Sequence, residues 1–481
     1  MRMIGSVLIG WALSIATAAA AEHVWVIGGG PDPHGSQAQI ETNVNWVINV
    51  LRQSSTRQLH VYYTDGNGPG KDVKLWTKPK YTKETLHPLA RVFDQDGPNG
   101  ETYYDHKIPN VSGTTESGPL QQRLKQEFSA LKPGDKALLV YNGHGLQDVH
   151  DAAGNTLRLW KDTSLSAREL EQLLGNIDPR VPVRFVFTQC YSGGFARLIR
   201  PAAKDVKQLN GSNRCGFLAE SEARESEGCS ASINVGDYRD YTTFFFAALQ
   251  GKTRSGERLS INPDIDQDGK VSPYEAHLYA LGEAHNADLP RSTSEVYLER
   301  WQPWYLRWFD TGAEPENLYG RMAGTVARRY QLPESGRALA RALGERRTSM
   351  TGRMASLEAE EGRLRDEVKE IQKSVKKDLN LRWPELRYPY TQNYAKLLQR
   401  DITKVQDFIL AHPRYNDLAT HQERILSIRE EMFLMERDIT QIDKIRRLRQ
   451  LARLLNQFER HASKQARAEY DRLMVCEQLP L

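Results

Sequence analysis

The front half of the chain consists of short apolar runs alternating with helix-like ones, and this pattern restricts the fold more than any other feature. Residues 23–27 (HVWVI) stop at Gly28-Gly29-Gly30. Residues 59–63 (LHVYY), 136–141 (KALLVY) and 183–188 (VRFVFT) are runs of the same kind, and 216–219 is a candidate fifth. Helical patterns fall at 37–51, 120–131, 166–174, from 195 onward and at 241–249. Continuously apolar strands separated by helices predict an α/β fold, a mostly parallel sheet with helices on both faces. Ligands of such sheets sit beyond the carboxyl ends of the strands. The loops after Ile27, Tyr141 and Thr188 therefore share one functional edge. The polar stretch 64–117, rich in Gly, Pro, Asp and Tyr, reads as a long irregular insert.

The character changes near Asp310. Leu343, Met350, Leu357, Leu364 and Ile371 recur every seven residues, with Met354, Val368 and Val375 in a second seam that Arg347 and Glu361 interrupt. That is a coiled-coil signal. Prolines 384, 389 and 413 break it. Ile425, Ile428, Met432, Met435, Ile439 and Ile442 form another stripe. The expectation is an all-α, coiled-coil-like hairpin over 336–475, joined by a linker at 311–335. The seam can pair within the chain or between chains, and the first is preferred. The basic stretch 444–455 (KIRRLRQLARLL) suits an anionic membrane, an acidic partner or, preferably, one packed helix face with solvated arginines. A partner protein on this helical region is a further expectation.

A length of 481 residues implies two or three domains. The net charge of +4 gives no case for nucleic acid. Arg2 followed by a small and apolar run ending in Ala19-Ala20-Ala21 has the form of a secretory signal cut after Ala21. A membrane anchor is the alternative, but the apolar part is shorter than the roughly 20 residues a span needs. The expected product is exported, periplasmic or secreted, with 22–310 as its α/β domain and no transmembrane span. Export permits a disulfide. Cys215 and Cys229 flank a short polar segment and are the candidate pair, which leaves Cys190 and Cys476 free; the alternative is that all four are reduced.

Two of the apolar strands end in reactive residues: Leu138–Gly145 (LLVYNGHG) carries His144, and Phe185–Gly194 (FVFTQCYSGG) carries Cys190. A thiolate is a nucleophile, and an imidazole can take its proton and return it to a leaving amine. Side by side at strand ends, these residues have the chemistry of peptide-bond hydrolysis. The order strand–His–Gly, then strand–Gln–Cys–x–Ser–Gly, with 46 residues from His144 to Cys190 against about 50 in caspases, resembles the caspase–legumain–gingipain superfamily of cysteine peptidases over roughly 22–310. The resemblance implies a caspase-like sheet, a His144/Cys190 dyad, an oxyanion hole from the amides of Gly145 and Cys190, and a peptide or protein substrate. Thr188 stands where legumains carry an acid, so the specificity pocket is not inherited. His34, Gln37, Thr188, Glu222 and Glu225 are the pocket candidates, and glutamates there favour a basic substrate residue. Two other functions remain open: an inactive scaffold whose helical arm binds partners, and a transpeptidase using the same dyad.

Residues 264–275 (DIDQDGKVSPYE) match a twelve-residue EF-hand loop. Asp264, Asp266, Asp268, the Lys270 carbonyl, Ser272 and Glu275 would supply oxygens to Ca2+, and Gly269 permits the turn. Ser272 and Pro273 suit the start of an exiting helix. No entering helix is expected before Pro263, which points to a structural site. Trp301, Trp304 and Trp308 suit packing between the two domains, or a binding platform.

Overall fold

Strands that are apolar on both sides require cover on both. The computed structural model describes residues 21–54, 56–76, 87–93, 101–199, 213–228, 238–304, 306 and 315–480. The expected signal before Ala21, Cys229 and Trp308 lie outside them. The described strands are β1 (Glu22–Gly29), β2 (Arg57–Tyr63), β3 (Val73–Trp76), β4 (Glu101–Tyr104), β5 (Lys136–Leu146), β6 (Thr156–Leu159), β7 (Thr163–Ser166), β8 (Val183–Phe187), β9 (Arg214–Leu218) and β10 (Arg291–Ser292). The main sheet runs β10-β9-β8-β5-β1-β2 and is parallel except for β10. From β1 the chain builds outward to β2, then returns on the other side of β1 to add β5, β8 and β9. Strand order therefore reverses between β1 and β5, where diverging loops open a crevice.

The described helices are α1 (Ala38–Leu51), α2 (His87–Phe93), α3 (Ser117–Ser129), α4 (Ala167–Leu174), α5 (Tyr241–Gln250), α6 (Pro273–Glu283), α7 (Thr293–Trp301), α8 (Leu318–Arg329), α9 (Gly336–Arg382), α10 (Gln392–Leu410), α11 (Tyr415–His461) and α12 (Lys464–Gln478). Alternate strand residues point to opposite layers. Val24, Val26, Leu138, Val140, Val186 and Phe217 meet α1, α5 and α6. Trp25, Ile27, Leu139, Tyr141, Phe185 and Phe187 meet α3, α4 and α12. This is the α/β architecture expected from the apolar runs, with a long helical region after it.

The helical region is not separate from the sheet domain. Leu339 and Leu343 of α9, and Ile442, Ile445, Leu448 and Leu451 of α11, belong to the same core as β1, β5 and α1. The linker expected at 311–335 contains α8, whose buried Tyr319, Ala323, Val326 and Ala327 form a helical stripe. Tyr319 bonds Tyr274 of α6 at 2.9 Å. The expectation failed because that stripe is only one short helix long and lies among charges. Beyond the core, α9 and α11 run antiparallel within one chain, cross-linked by Arg347–Asp443, Arg353–Glu431, Arg424–Glu360 and Arg429–Glu361. Among the described residues no helix is long and apolar enough to cross a membrane.

Stretch 444–455 is a packed face, but several of its cations are not solvated. Lys444 Nζ donates to the Ala284 carbonyl at 2.7 Å and to Asn286 Oδ1 at 2.9 Å. Arg447 is buried against Glu295 and Glu299, both at 2.9 Å. Buried cations need such partners. Glu295 is fully buried, yet Arg447 and His277 hold its carboxyl down at about 2.

The insert 64–117 is more ordered than its composition suggests. β3 and β4 form an antiparallel ribbon. Leu89 and Val92 of α2 join Val368, Ile371, Ile402 and Leu418 in the far core of the helical arm. The Arg91 carbonyl there accepts from Gln372 at 3.0 Å and Gln422 at 2.9 Å. The expected pairing of Cys215 is corrected as well. Cys215 of β9 is bonded to Cys476 of α12, with Cα atoms 5.9 Å apart, because it faces the layer in which α12 packs. Cys190 is a free thiol. Trp301 stacks edge-on against Phe458 at 4.8 Å and so joins the two parts, whereas Trp304 is exposed.

Candidate active site

β5 and β8 are paired in parallel with Tyr141 opposite Phe187. His144 and Cys190 each lie three residues beyond that pair, so the two loops leave the sheet level with each other. Gly145 marks how closely they approach: a Cβ there would lie 2.1 Å from the Cys190 carbonyl oxygen. Gly143 is equally confined, against the Gly29 carbonyl of β1.

β5 continues past its neighbours because it pairs with β6, His144 opposite Arg158. The Tyr141 hydroxyl lies 2.9 Å from the His144 carbonyl and 2.8 Å from that of Arg158. The imidazole is oriented by the loop after β1. There Gly30 N–H donates to Ser36 Oγ at 2.7 Å and Gly35 N–H to Asp32 Oδ1 at 2.7 Å, forming a tight turn. The turn aims the Gly35 carbonyl at His144 Nε2, 2.8 Å away, with Gln37 Oε1 also at 2.8 Å. A carbonyl only accepts, so Nε2 carries the proton and Nδ1 keeps its lone pair. Burial pulls the His144 pKa below the usual imidazole value, opposed by the Gly35 bond. His144 is therefore a neutral base at neutral pH.

Cys190 begins a turn in which Tyr191 has φ 59°, followed by a 3-10 helix at Ser192–Ile199. Its Sγ accepts from the Ser226 backbone N–H at 3.3 Å. Burial pushes the thiol up, opposed by the Ser226 hydrogen bonds. Among the described residues no hydrogen bond joins His144 to Cys190, and the Cys190 N–H donates to no protein acceptor. The arrangement holds a neutral thiol and a neutral base on adjacent strand ends, with one free amide beside them.

The pocket candidates fare differently. Gln37 bonds the His144 ring. Thr188 is buried between strands, its hydroxyl donating to the Tyr141 carbonyl at 3.0 Å and accepting from Asn142 at 2.8 Å. His34 is exposed, 3.3 Å from the Tyr103 hydroxyl and 3.4 Å from Lys74 Nζ. Glu222 and Glu225 are exposed on the loop that reaches Cys190, and Glu225 accepts from the Tyr191 hydroxyl at 2.9 Å. Gly35 and Ser226, which touch the two reactive groups, carry no signal of their own in the sequence.

In the acidic loop, carboxylate atoms of Asp264, Asp266 and Asp268 lie within 4.8 Å of one another. Asp264 Oδ1 is buried without a partner. Gly269, at φ +86°, makes the turn. Glu275 Oε1 accepts from the Ile265 N–H at 2.7 Å, and Oε2 from the Ser272 N–H at 2.8 Å, closing the loop onto α6. Ser272 caps α6 with Pro273 in the first turn, and no helix precedes the loop, both as expected. A second cluster, Asp65, Asp72 and His106, was not evident in the sequence. Its His106 nitrogens are already engaged by the Gly66 carbonyl at 2.8 Å and the Ile108 N–H at 3.2 Å.

No family model matches the chain, and no curated protein matches it. Among solved structures, protein GSU0716 from Geobacter sulfurreducens is similar at a TM-score of 0.33 and 13% identity, covering 56% of this chain and 92% of that one. A likeness at that score carries no inference about fold family or activity.

Proposed function

We propose that the chain is an exported cysteine endopeptidase with a caspase-like α/β domain. The observation that carries this reading is the level exit of His144 and Cys190 from adjacent parallel strands, the first of which borders the point where strand order reverses. Nδ1 of His144, left unprotonated by the Gly35 carbonyl, takes the thiol proton as Sγ attacks the peptide carbonyl carbon. The Cys190 amide, with that of Gly145, stabilises the resulting oxyanion. The imidazolium then gives its proton to the leaving amine as the C–N bond breaks, and water hydrolyses the thioester. The test is a degenerate peptide pool treated with wild type and with Cys190→Ala. New termini with wild type alone are expected; cleavage by the alanine variant would overturn the reading. An added amine nucleophile in the same assay separates hydrolysis from transpeptidation by its products.

The scaffold alternative is supported by the helical arm, whose far end leaves Leu381, Tyr388 and Tyr390 exposed as a surface for a partner protein. Labelling of Cys190 by an electrophilic peptide distinguishes the two, since a scaffold has no need of a reactive thiol.

We also assign the 264–275 loop to Ca2+. The donor set is all oxygen, which suits a hard cation, and the orphaned Asp264 Oδ1 has a use only if a cation or water meets it. Asp264, Asp266, Asp268, the Lys270 carbonyl, Ser272 and Glu275 would hold the ion, which would brace the start of α6. Chelation is expected to lower the melting temperature of wild type by several degrees and to leave Asp264→Ala unchanged. Equal melting of wild type with and without chelator would remove the metal.

A further inference from the structure

We infer that Arg437, on the returning helix of the arm, is a positioning residue for Cys190, acting through Glu227 and Ser226. The inference rests on the reading of Cys190 as the nucleophile. The short segment 224–227 lies between the reactive turn and the arm and is held from both sides. On the reactive side, the Arg224 carbonyl accepts from the Tyr191 N–H at 2.8 Å, Ser226 Oγ donates to the Thr188 carbonyl at 3.0 Å, and the Ser226 N–H donates to Sγ at 3.3 Å. On the arm side, Arg437 grips the Glu227 carboxylate with Nε at 3.2 Å and with Nη2. Arg224 Nη2 donates to Thr440 Oγ1 at 3.1 Å. Glu227 also accepts from the Ala287 N–H at 2.9 Å and donates its own N–H to Asp288 at 2.7 Å.

The charges make Arg437 decisive. Glu227 lies among carboxylates: Glu220, Glu227 and Asp240 each act on Asp288, and Glu227 acts on Asp240 as well. Burial lifts Glu220 to about 7, and Asp288 lies well above the usual carboxylate range. Lys444 faces the same group from α11, and Arg224 pairs with Glu220 from the segment itself. Arg437 and Glu227 are nearly buried as a pair. Without the guanidinium, Glu227 would be a buried, unpaired anion among like charges, a costly arrangement. One relief open to it is movement of segment 224–227 toward solvent, which withdraws the Ser226 N–H from the sulfur. That N–H favours the thiolate, whereas Glu225 and Asp288 disfavour it. Arg437 thus makes the helical arm part of the nucleophile's environment, a use for the arm that peptide hydrolysis alone does not require.

The test is the pH dependence of Cys190 alkylation by iodoacetamide, followed on the Cys190 peptide by mass spectrometry, in the full chain. Arg437→Ala is expected to move the profile to higher pH and to slow alkylation at neutral pH by roughly tenfold per unit of displacement. Arg437→Lys should recover part of the loss. If Arg437→Ala does not fold, Glu227→Gln is read instead, with a smaller displacement in the same direction. In the Glu227→Gln background, Arg437→Ala should add little. An unmoved profile, or faster alkylation in Arg437→Ala, overturns the inference; the latter would make the segment a shield rather than a support. Alkylation reports the sulfur whether or not the chain cleaves peptides. Failure of the peptidase reading would therefore show as a wild type without cleavage, and failure of this inference as an unmoved profile.

Discussion

Replacing Cys190 by Ala, His144 by Ala, or both, is expected to lower kcat/KM for a cleavable peptide by the same large factor, on the order of a thousandfold or more. The two groups act as one device, and residues of that kind are strongly non-additive. Without the sulfur no thioester forms. Without the imidazole the sulfur keeps its proton, because its buried position disfavours the thiolate. A double variant much worse than either single one would mean that they act independently. The pH profile carries the sign of the same argument. The base must be neutral to take the thiol proton, and His144 is held below the usual imidazole value by burial. The acid limb of kcat/KM should therefore fall below about pH 6.5, the value of a free imidazole. A limb at or above that value would mean that burial does not hold the imidazole down.

Loss of the Cys215–Cys476 bond is expected to lower the stability to denaturant by about 2–5 kcal/mol. The bridged residues are 261 apart, and long loops confine the unfolded chain most in the chain-entropy account. The native side adds to this. The last helix carries Leu473 into the core beneath β8, and Glu477 accepts from the side chains of Thr293 and Ser294, each at 2.7 Å. Cys476→Ser should lower the denaturation midpoint, as should wild type in reductant, and reductant should not affect the variant further. A midpoint that ignores reductant would show the two thiols unbonded in solution.

Much of the sheet was legible because strands buried on both faces need no tertiary information to recognise. β1, β2, β5 and β8 begin or end within about two residues of their apolar runs, apart from the extension of β5 to Leu146. That extension depends on pairing with β6, which no local pattern announced. The candidates His144 and Cys190 were legible because each lies a few residues beyond an apolar run, His144 between two glycines and Cys190 three residues before Gly193. Their supports were not. Ser226 is one serine among several in an acidic stretch, and its neighbour Glu227 is held by a residue 210 positions away. Cys476 lies 261 residues from its partner, and proximity in sequence favours Cys229 instead. The glycine, acids and serine of loop 264–275 form a local pattern, so that turn could be read directly.

The shared core has a consequence for dissecting the molecule. Ile445, Leu448 and Leu451 lie against the same layer as Val24 and Val140, and Cys476 is fastened to β9. A fragment ending near residue 310 would lack one wall of its interior, and the arm expressed alone would present that wall to water. The boundary suggested by the change in composition is one of character only, so deleting the helices is not a neutral way to ask what they do.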